Sequence, residues 1–202
     1  MATTIITGQG RPGIIIVTGT PGAGKTTVLD KSLGKLAGQI SRVNYGDIMF
    51  EIAKERGVRN RDDMRKLPLH EQRAIQTAAA NRIKAQSETS KKLVIVDTHS
   101  TIKTSHGYIP GMPEWVIKSL QPSVIVLIET DPKQIAKRRS KDKSRSRDSE
   151  SVQEIQLQQD LNRMFASAYA AMTGASVKVI MNPDKKLGTA VNELIKIIED
   201  ML

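Results

Sequence analysis

The 202-residue chain carries 31 Lys and Arg against 21 Asp and Glu, a formal net charge of +10, and 39% of its residues are hydrophobic. That is enough for one sizeable core with a small inserted lobe, and with no cysteine there is no disulfide framework. No apolar run approaches the roughly 20 residues that span a bilayer, and Met1 to Gly10 lacks the basic and apolar regions of a secretory signal, so a soluble cytoplasmic protein is expected.

In chain order, Met1 to Pro12 reads as a flexible extension preceding a single domain over 13–202. Gly13 to Thr18 is an apolar strand. Behind it stands Gly19-Thr-Pro-Gly-Ala-Gly-Lys-Thr26, and a helix is predicted from Lys25 to Ala37. A second strand follows at Gln39 to Asn44, then a helix from Asp47 to Arg56 with Ile48, Ile52 and Ala53 on one side. Arg59 to Arg65 reads as a charged turn, leading past Pro68 into a long helix ending near Ser87. Leu93 to Asp97 is a short apolar strand closed by a carboxylate. Pro113 opens a short helix, Val124 to Glu129 is another buried strand, and Asp131-Pro132 supplies a helix start with proline at its first position. That helix enters Lys137 to Arg147, where seven of eleven residues are Lys or Arg. A long helical period from about Ser149 stops at Gly174, and a final strand (Val177 to Met181) and helix (Leu187 to Leu202) complete the chain. Strands alternate with helices, which predicts an α/β fold, a doubly wound five-stranded parallel sheet. With only six aromatic residues, the core must come from Ile, Val, Leu, Met and Ala, which suit such a sheet.

The chemistry starts from Gly19, Thr20, Pro21, Gly22, Ala23, Gly24, Lys25 and Thr26, a complete G-x-x-x-x-G-K-[ST] phosphate loop in strand-to-helix context, with Thr27 behind it. Glycines let successive N–H groups turn inward, Lys25 reaches the β- and γ-phosphates, and Thr26 can hold Mg²⁺. Asp97 either orients waters around Mg²⁺ or serves as a turn residue; Thr98 and His99 follow it, and His99 either meets a second substrate or satisfies a local hydrogen bond. In parallel sheets of this kind the ligand sits at the strands' carboxyl ends, so these features converge on one cleft with the basic segment. Arg138, Arg139, Arg145 and Arg147 could neutralise a phosphoryl group in transfer, since their planar forks bind phosphate oxygens bidentately. Arg61 and Arg65 are placed to bind a phosphate acceptor. The excess positive charge also suits nucleic acid, but the basic segment has no interleaved aromatics for base stacking, so nucleic-acid binding is not expected.

Across Gly13 to Leu202 the sequence resembles an archaeal-type adenylate kinase. The stretches that carry this are Val17 to Thr27, Val43 to Met49, Arg61 to Leu67, Val96 to Ile102, Gly107 to Pro113 and Arg145 to Asp148. The resemblance implies reversible transfer of the ATP γ-phosphate to AMP with Mg²⁺, giving two ADP. It also implies an AMP-binding lobe at about 45–92, a short lid at about 138–150, and a cytoplasmic homotrimer. Lys25, Arg138, Arg145 and Arg147 become candidate catalytic cations, residues 19 to 27 the ATP site, and Arg61, Arg65, Asp97, Thr98 and His99 candidate acceptor-site residues. Two arginines usual in bacterial and eukaryotic adenylate kinases are missing: Gly46-Asp47 is followed by Ile48, and Asp97-Thr98-His99 replaces Asp-Gly-Phe-Pro-Arg. Arg61 or Arg65, with His99, is therefore expected to take over recognition of the AMP phosphate. The competing readings are a kinase for UMP, CMP or dTMP, and a basic RNA-associated ATPase.

Overall fold

The structure, a computed structural model, describes residues 13–34, 36, 38–90, 92–141 and 150–202. The expected extension at 1–12, with Arg145, Arg147 and most of the expected lid, lies outside the described residues. The chain runs β1 (Ile14–Gly19), α1 (Lys25–Leu33), β2 (Ile40–Asn44), α2 (Tyr45–Glu55), α3 (Arg61–Lys66), α4 (Leu69–Ser90), β3 (Leu93–Asp97), β4 (Thr101–Thr104), β5 (Gly107–Pro110), α5 (Glu114–Leu120), β6 (Val124–Glu129), α6 (Pro132–Lys141), α7 (Val152–Thr173), β7 (Ser176–Met181) and α8 (Leu187–Glu199).

The five long strands form a parallel sheet in the order β2-β3-β1-β6-β7, as the alternating pattern predicts. β1 lies at its centre, with Val17 opposite Asp97 on one side and Val126 on the other. Successive residues of a strand point to opposite faces, and both faces of β1 are buried. Ile15 and Val17 join Ile95, Val126 and Ile128 beneath α1 and α8, while Ile14 and Ile16 join Val94, Val96 and Leu127 beneath α4, α5 and α7. α1, which leaves β1, and α5, which follows β3, therefore cover opposite faces. The chain directions part between the ends of those two strands, and a cleft opens there.

Three sequence expectations need correction. The 59–65 segment contains helix α3 rather than a turn, because Asn60 caps it by accepting from the Asp63 N–H at 2.8 Å. Its acidic residues lie in the first turn and its basic residues in the last, which suits the helix dipole. Strands do not simply alternate with helices. β4 and β5 pair as an antiparallel hairpin, Ile102 opposite Ile109, with Gly107 supplying the left-handed φ of +117°. Four-residue strands with one face open to solvent give too short a pattern to stand out. α1 ends at Leu33, with Gly34 as its C-cap, instead of reaching Ala37.

α7 starts on a capping box in which Ser151 and Glu154 satisfy each other's backbone N–H groups, and it stops at left-handed Gly174 as expected. Ile155 and Phe165 serve core packing. Ile155 is fully buried against Ala23 and Ile135, and Phe165 packs on the α4–α5–α7 side of the sheet. Ile95 is wholly buried in the central sheet, so Ile95→Ala is expected to cost about 2–5 kcal/mol. Urea unfolding monitored by circular dichroism measures it, and a loss well under about 1 kcal/mol would mean that this core layer collapses around the gap.

Candidate active site

The phosphate loop leaves the buried end of β1 in a tight turn, with the Ala23 N–H donating to the Thr20 carbonyl at 3.0 Å. Gly22 and Gly24 take φ of +94° and +90°, and a side chain at Gly24 would run into the Asn182 amide. Helix α1 then begins at Lys25 with no side chain capping its N-terminus. Its first N–H groups, and the positive end of its dipole, are left for an anion. Thr26 and Thr27 are exposed in this first turn, whereas Thr20 is buried.

Lys25 turns towards the end of β3. Its Nζ donates to the Thr98 carbonyl at 2.6 Å and pairs with Asp97 at 2.5 Å. The other Asp97 oxygen accepts from Arg42 of β2 at 2.7 Å, and Arg42 also pairs with Asp30. Burial alone would push the Asp97 carboxyl up, but Lys25 and then Arg42 outweigh it and hold it below the ordinary range, so it is ionised at neutral pH. Lys25 faces Arg42 as well as Asp97, and burial with that second cation brings its ammonium below its usual value against the pull of Asp97.

His99 stands at the solvent edge of the same cleft, beside Lys25, Asp97 and the Gly19 backbone. Desolvation of the ring by the surrounding loops, and then the Lys25 charge, lower its pKa to about 4 against the pull of Asp97. A neutral imidazole at physiological pH can accept or donate one hydrogen bond to a substrate. Close packing holds the His99 backbone, since a side chain at Gly111 would collide with the His99 carbonyl oxygen.

Arg138 is expected to be a cation acting on phosphate, and the structure places it against the outer side of the loop. Its guanidinium donates to the carbonyls of Ala23 at 3.1 Å and Asn182 at 3.0 Å and is paired with Asp184 at 2.7 Å. Arg139 Nε donates to the Pro21 carbonyl at 2.8 Å, and its guanidinium pairs with Glu150. Arg61 binds the Gly46 carbonyl and pairs with Asp47, while Arg65 forms an exposed pair with Asp62 on α3. The structure thus brings together the phosphate loop, Lys25, Asp97, Thr98 and His99. Among the described residues it brings neither Arg61 nor Arg65 into hydrogen-bond contact with them. Sequence reasoning missed Arg42, whose only signal was a cation two residues before the end of an extended segment. It also missed Asn162, an amide in the buried stripe of α7 whose Nδ2 donates to Thr20 Oγ1.

A loop of this geometry, on a parallel sheet with the helix N-terminus behind it left uncapped, defines a P-loop nucleotide-binding fold. A family model described as an AAA domain matches residues 18–156. An adenylate kinase of Methanopyrus kandleri is 52% identical over 190 residues, covering 93% of this chain and 98% of that protein. Adenylate kinases of Methanothermobacter thermautotrophicus and Pyrococcus furiosus are 49% and 46% identical, covering 92% and 93% of this chain and 99% and 96% of those proteins. A solved shikimate kinase of Acinetobacter baumannii, in complex with shikimate, shares the fold at a TM-score of 0.55 and 20% identity, over 96% of this chain and 97% of its own. The chain belongs to the adenylate kinase family.

The His99 shift predicts a pH dependence. With a folded pKa of about 4 against 6.5 for a free imidazole, the unfolded chain takes up its proton first as pH falls, so this group's contribution to stability is complete above pH 6.5 and declines towards pH 4. His99→Gln is expected to flatten the pH dependence of the unfolding midpoint within that window. An unchanged slope would mean that His99 titrates as it does in the unfolded chain.

Proposed function

We propose that the protein is an adenylate kinase that transfers the γ-phosphate of ATP to AMP, reversibly, giving two ADP. The observation that supports this reading is Lys25, which joins the phosphate loop to the end of β3 through Asp97 and the Thr98 carbonyl; in our reading the donor and acceptor phosphates meet there. The protein supplies no nucleophile. An AMP phosphate oxygen attacks the γ-phosphorus in line, the bond to the bridging oxygen of ADP breaks, and the leaving charge stays on ADP. The loop N–H groups and Lys25 hold the donor phosphates and counter the charge that builds on the transferring group. His99, neutral, orients the acceptor.

The donor set fits Mg²⁺: Thr26 offers an exposed hydroxyl at the first turn of α1, and Asp97 is an ionised carboxylate with lone pairs to spare beyond its two cations. When bound, Mg²⁺ would neutralise charge on the β- and γ-oxygens, with Asp97 acting through water. In our reading the acceptor site belongs to the 45–92 segment, which carries Arg61 and Arg65, and Arg145 and Arg147 of the 138–150 segment are catalytic cations alongside Lys25. Arg138 reaches the site from the start of that segment and shapes the loop from its outer side. We also assign a cytoplasmic homotrimer. Exposed apolar side chains on α7 (Leu157, Met164) and on the hairpin (Ile102, Ile109) support self-association, and no helix among the described residues is long and apolar enough to cross a membrane.

Incubation with Mg-ATP and a panel of nucleoside monophosphates, followed by ³¹P NMR with and without RNA, tests the activity. Two ADP from ATP plus AMP, and little product from other acceptors, is the expected result. Transfer to UMP, CMP or dTMP would change the substrate, and phosphate release only with RNA would overturn the kinase. Arg65 has an exposed partner it can leave at little cost, whereas Arg61 is also tied to the Gly46 carbonyl and lies over the Phe50 ring. Arg65→Ala should therefore raise the AMP KM roughly 10- to 100-fold, the worth of one charge-assisted contact, with the ATP KM unchanged. An unaltered AMP KM would remove Arg65 from the acceptor site.

A further inference from the structure

The phosphate loop and the His99 segment follow adjacent strands, which are joined at their ends by the Thr98 N–H donating to the Val17 carbonyl at 3.1 Å and, on the cleft side, by Lys25. A further side chain, behind both in α7, also spans them. Asn162, buried in the middle of α7, donates from Nδ2 to Thr20 Oγ1 in the phosphate loop at 3.0 Å. Its Oδ1 accepts from Thr101 Oγ1 at 2.7 Å, and its main-chain carbonyl accepts from Ser100 Oγ at 3.0 Å. All three hydroxyl residues are buried. Seven residues on, about two turns further along the helix, the Tyr169 hydroxyl donates to the Ser100 carbonyl at 2.8 Å, so α7 holds this segment at two points.

We infer that Asn162 is a positioning residue, a buried amide that ties the phosphate loop to the segment just after His99 and so sets the gap across which phosphate is transferred. The inference rests on the phosphoryl-transfer reading for its kinetic consequence only. The Thr20 backbone belongs to the phosphate loop, but the Thr20 and Thr101 side chains are buried and turned to Asn162, so neither hydroxyl faces a nucleotide. Asparagine suits the position because one planar group joins two hydroxyls on opposite sides. Leucine, of similar size, would leave both hydroxyls buried and the loops free to drift. In-line transfer is steep in distance, and a displacement of about 1 Å can cost on the order of 100-fold in rate. A tie that acts on the gap and touches neither nucleotide should therefore show in kcat and not in KM.

The test compares Asn162→Ala, Thr20→Val, Thr101→Val and the Asn162→Ala/Thr20→Val double variant. Single variants at Asn162 and Thr20 are expected to lower kcat about 10- to 100-fold, with KM for ATP and AMP within about threefold of the parent. The double variant should fall no further than the weaker single, because both remove the same contact. Hydrogen–deuterium exchange on the substrate-free protein reads the tie independently of activity. Asn162→Ala should speed exchange in peptides spanning Gly19–Gly24 and His99–Thr104 together, leaving β6 unchanged. Multiplying effects in the double variant, or KM rising with kcat intact, would overturn the inference, as would unchanged exchange in both peptides. Should Asn162→Ala fail to fold, the near-isosteric Thr20→Val and Thr101→Val carry the same kinetic and exchange tests. A parent protein that does not phosphorylate AMP would sink the adenylate kinase reading, while the exchange result would still decide whether Asn162 couples the two loops.

Discussion

A carboxylate buried at the end of a central strand stays ionised only if counter-charge is brought to it, and the site is organised around that requirement. Asp97 is 3% exposed. Lys25 reaches it from the start of α1 and Arg42 from β2, the neighbouring strand. Three chain segments are thereby fixed by one side chain, and the register that places Val17 and Asn44 opposite Asp97 makes this possible. Of the three N–H donors on Lys25, one goes to Asp97 and one to the Thr98 carbonyl. The third is left for an incoming phosphate oxygen. The lysine is thus ordered by protein partners alone, and a side chain that is already ordered adds less entropy cost to a binding step.

The excess of positive charge acquires a use at the same place. Composition alone allows nucleic acid or nucleotide as the partner, and for two of the arginines the structure shows what they face. Arg138 and Arg139 hold the loop by its outward carbonyls, at Ala23 and Pro21. A loop whose N–H groups turn inward must turn carbonyls outward, and those acceptors need donors too. Two arginines at the start of the basic segment supply them. A cluster that reads as a charged surface in the sequence is, over its described part, largely the outer brace of a phosphate cradle.

How much of this was legible follows from which signals are local. The phosphate loop, the apolar strands, the Asp131-Pro132 helix start and the Gly174 stop depend on residues adjacent in sequence, and all of them stand in the structure. The helix at Arg61–Lys66 was readable too, from Asn60 and the acidic residues after it, but the density of charge read as a turn. Arg42 was not legible, because only the pairing of β2 with β3 brings it to Asp97, 55 positions away. Arg138 was assigned to phosphate from its charge, yet its partners are the Ala23 carbonyl, 115 residues distant, the Asn182 carbonyl and Asp184. Charge is visible in a sequence, but the group that a charge faces depends on the topology.

α7 extends the same reasoning. Ile155, Gln159, Asn162, Ala166 and Tyr169 recur at alternating spacings of four and three, the stripe that a helix presents to a core, and all five are buried. Two amides stand in that stripe where apolar residues would pack more simply. Burying an amide costs free energy unless its hydrogen bonds are made, and the Gln159 Oε1 has no partner among the described residues, a cost of about 1–3 kcal/mol. Just past this stripe, Arg163 neutralises Glu129, whose side chain is 2% exposed at the end of β6. The helix therefore gives up some packing stability along one face, and it gains direct holds on the ends of β1, β3 and β6. Apolar contacts are non-directional and tolerate sliding, whereas a hydrogen bond fixes distance and angle to tenths of an ångström. A reaction that depends on two phosphates meeting in line needs the second kind of contact behind its loops, and the polar interruption of an otherwise apolar helix face is how this chain supplies it.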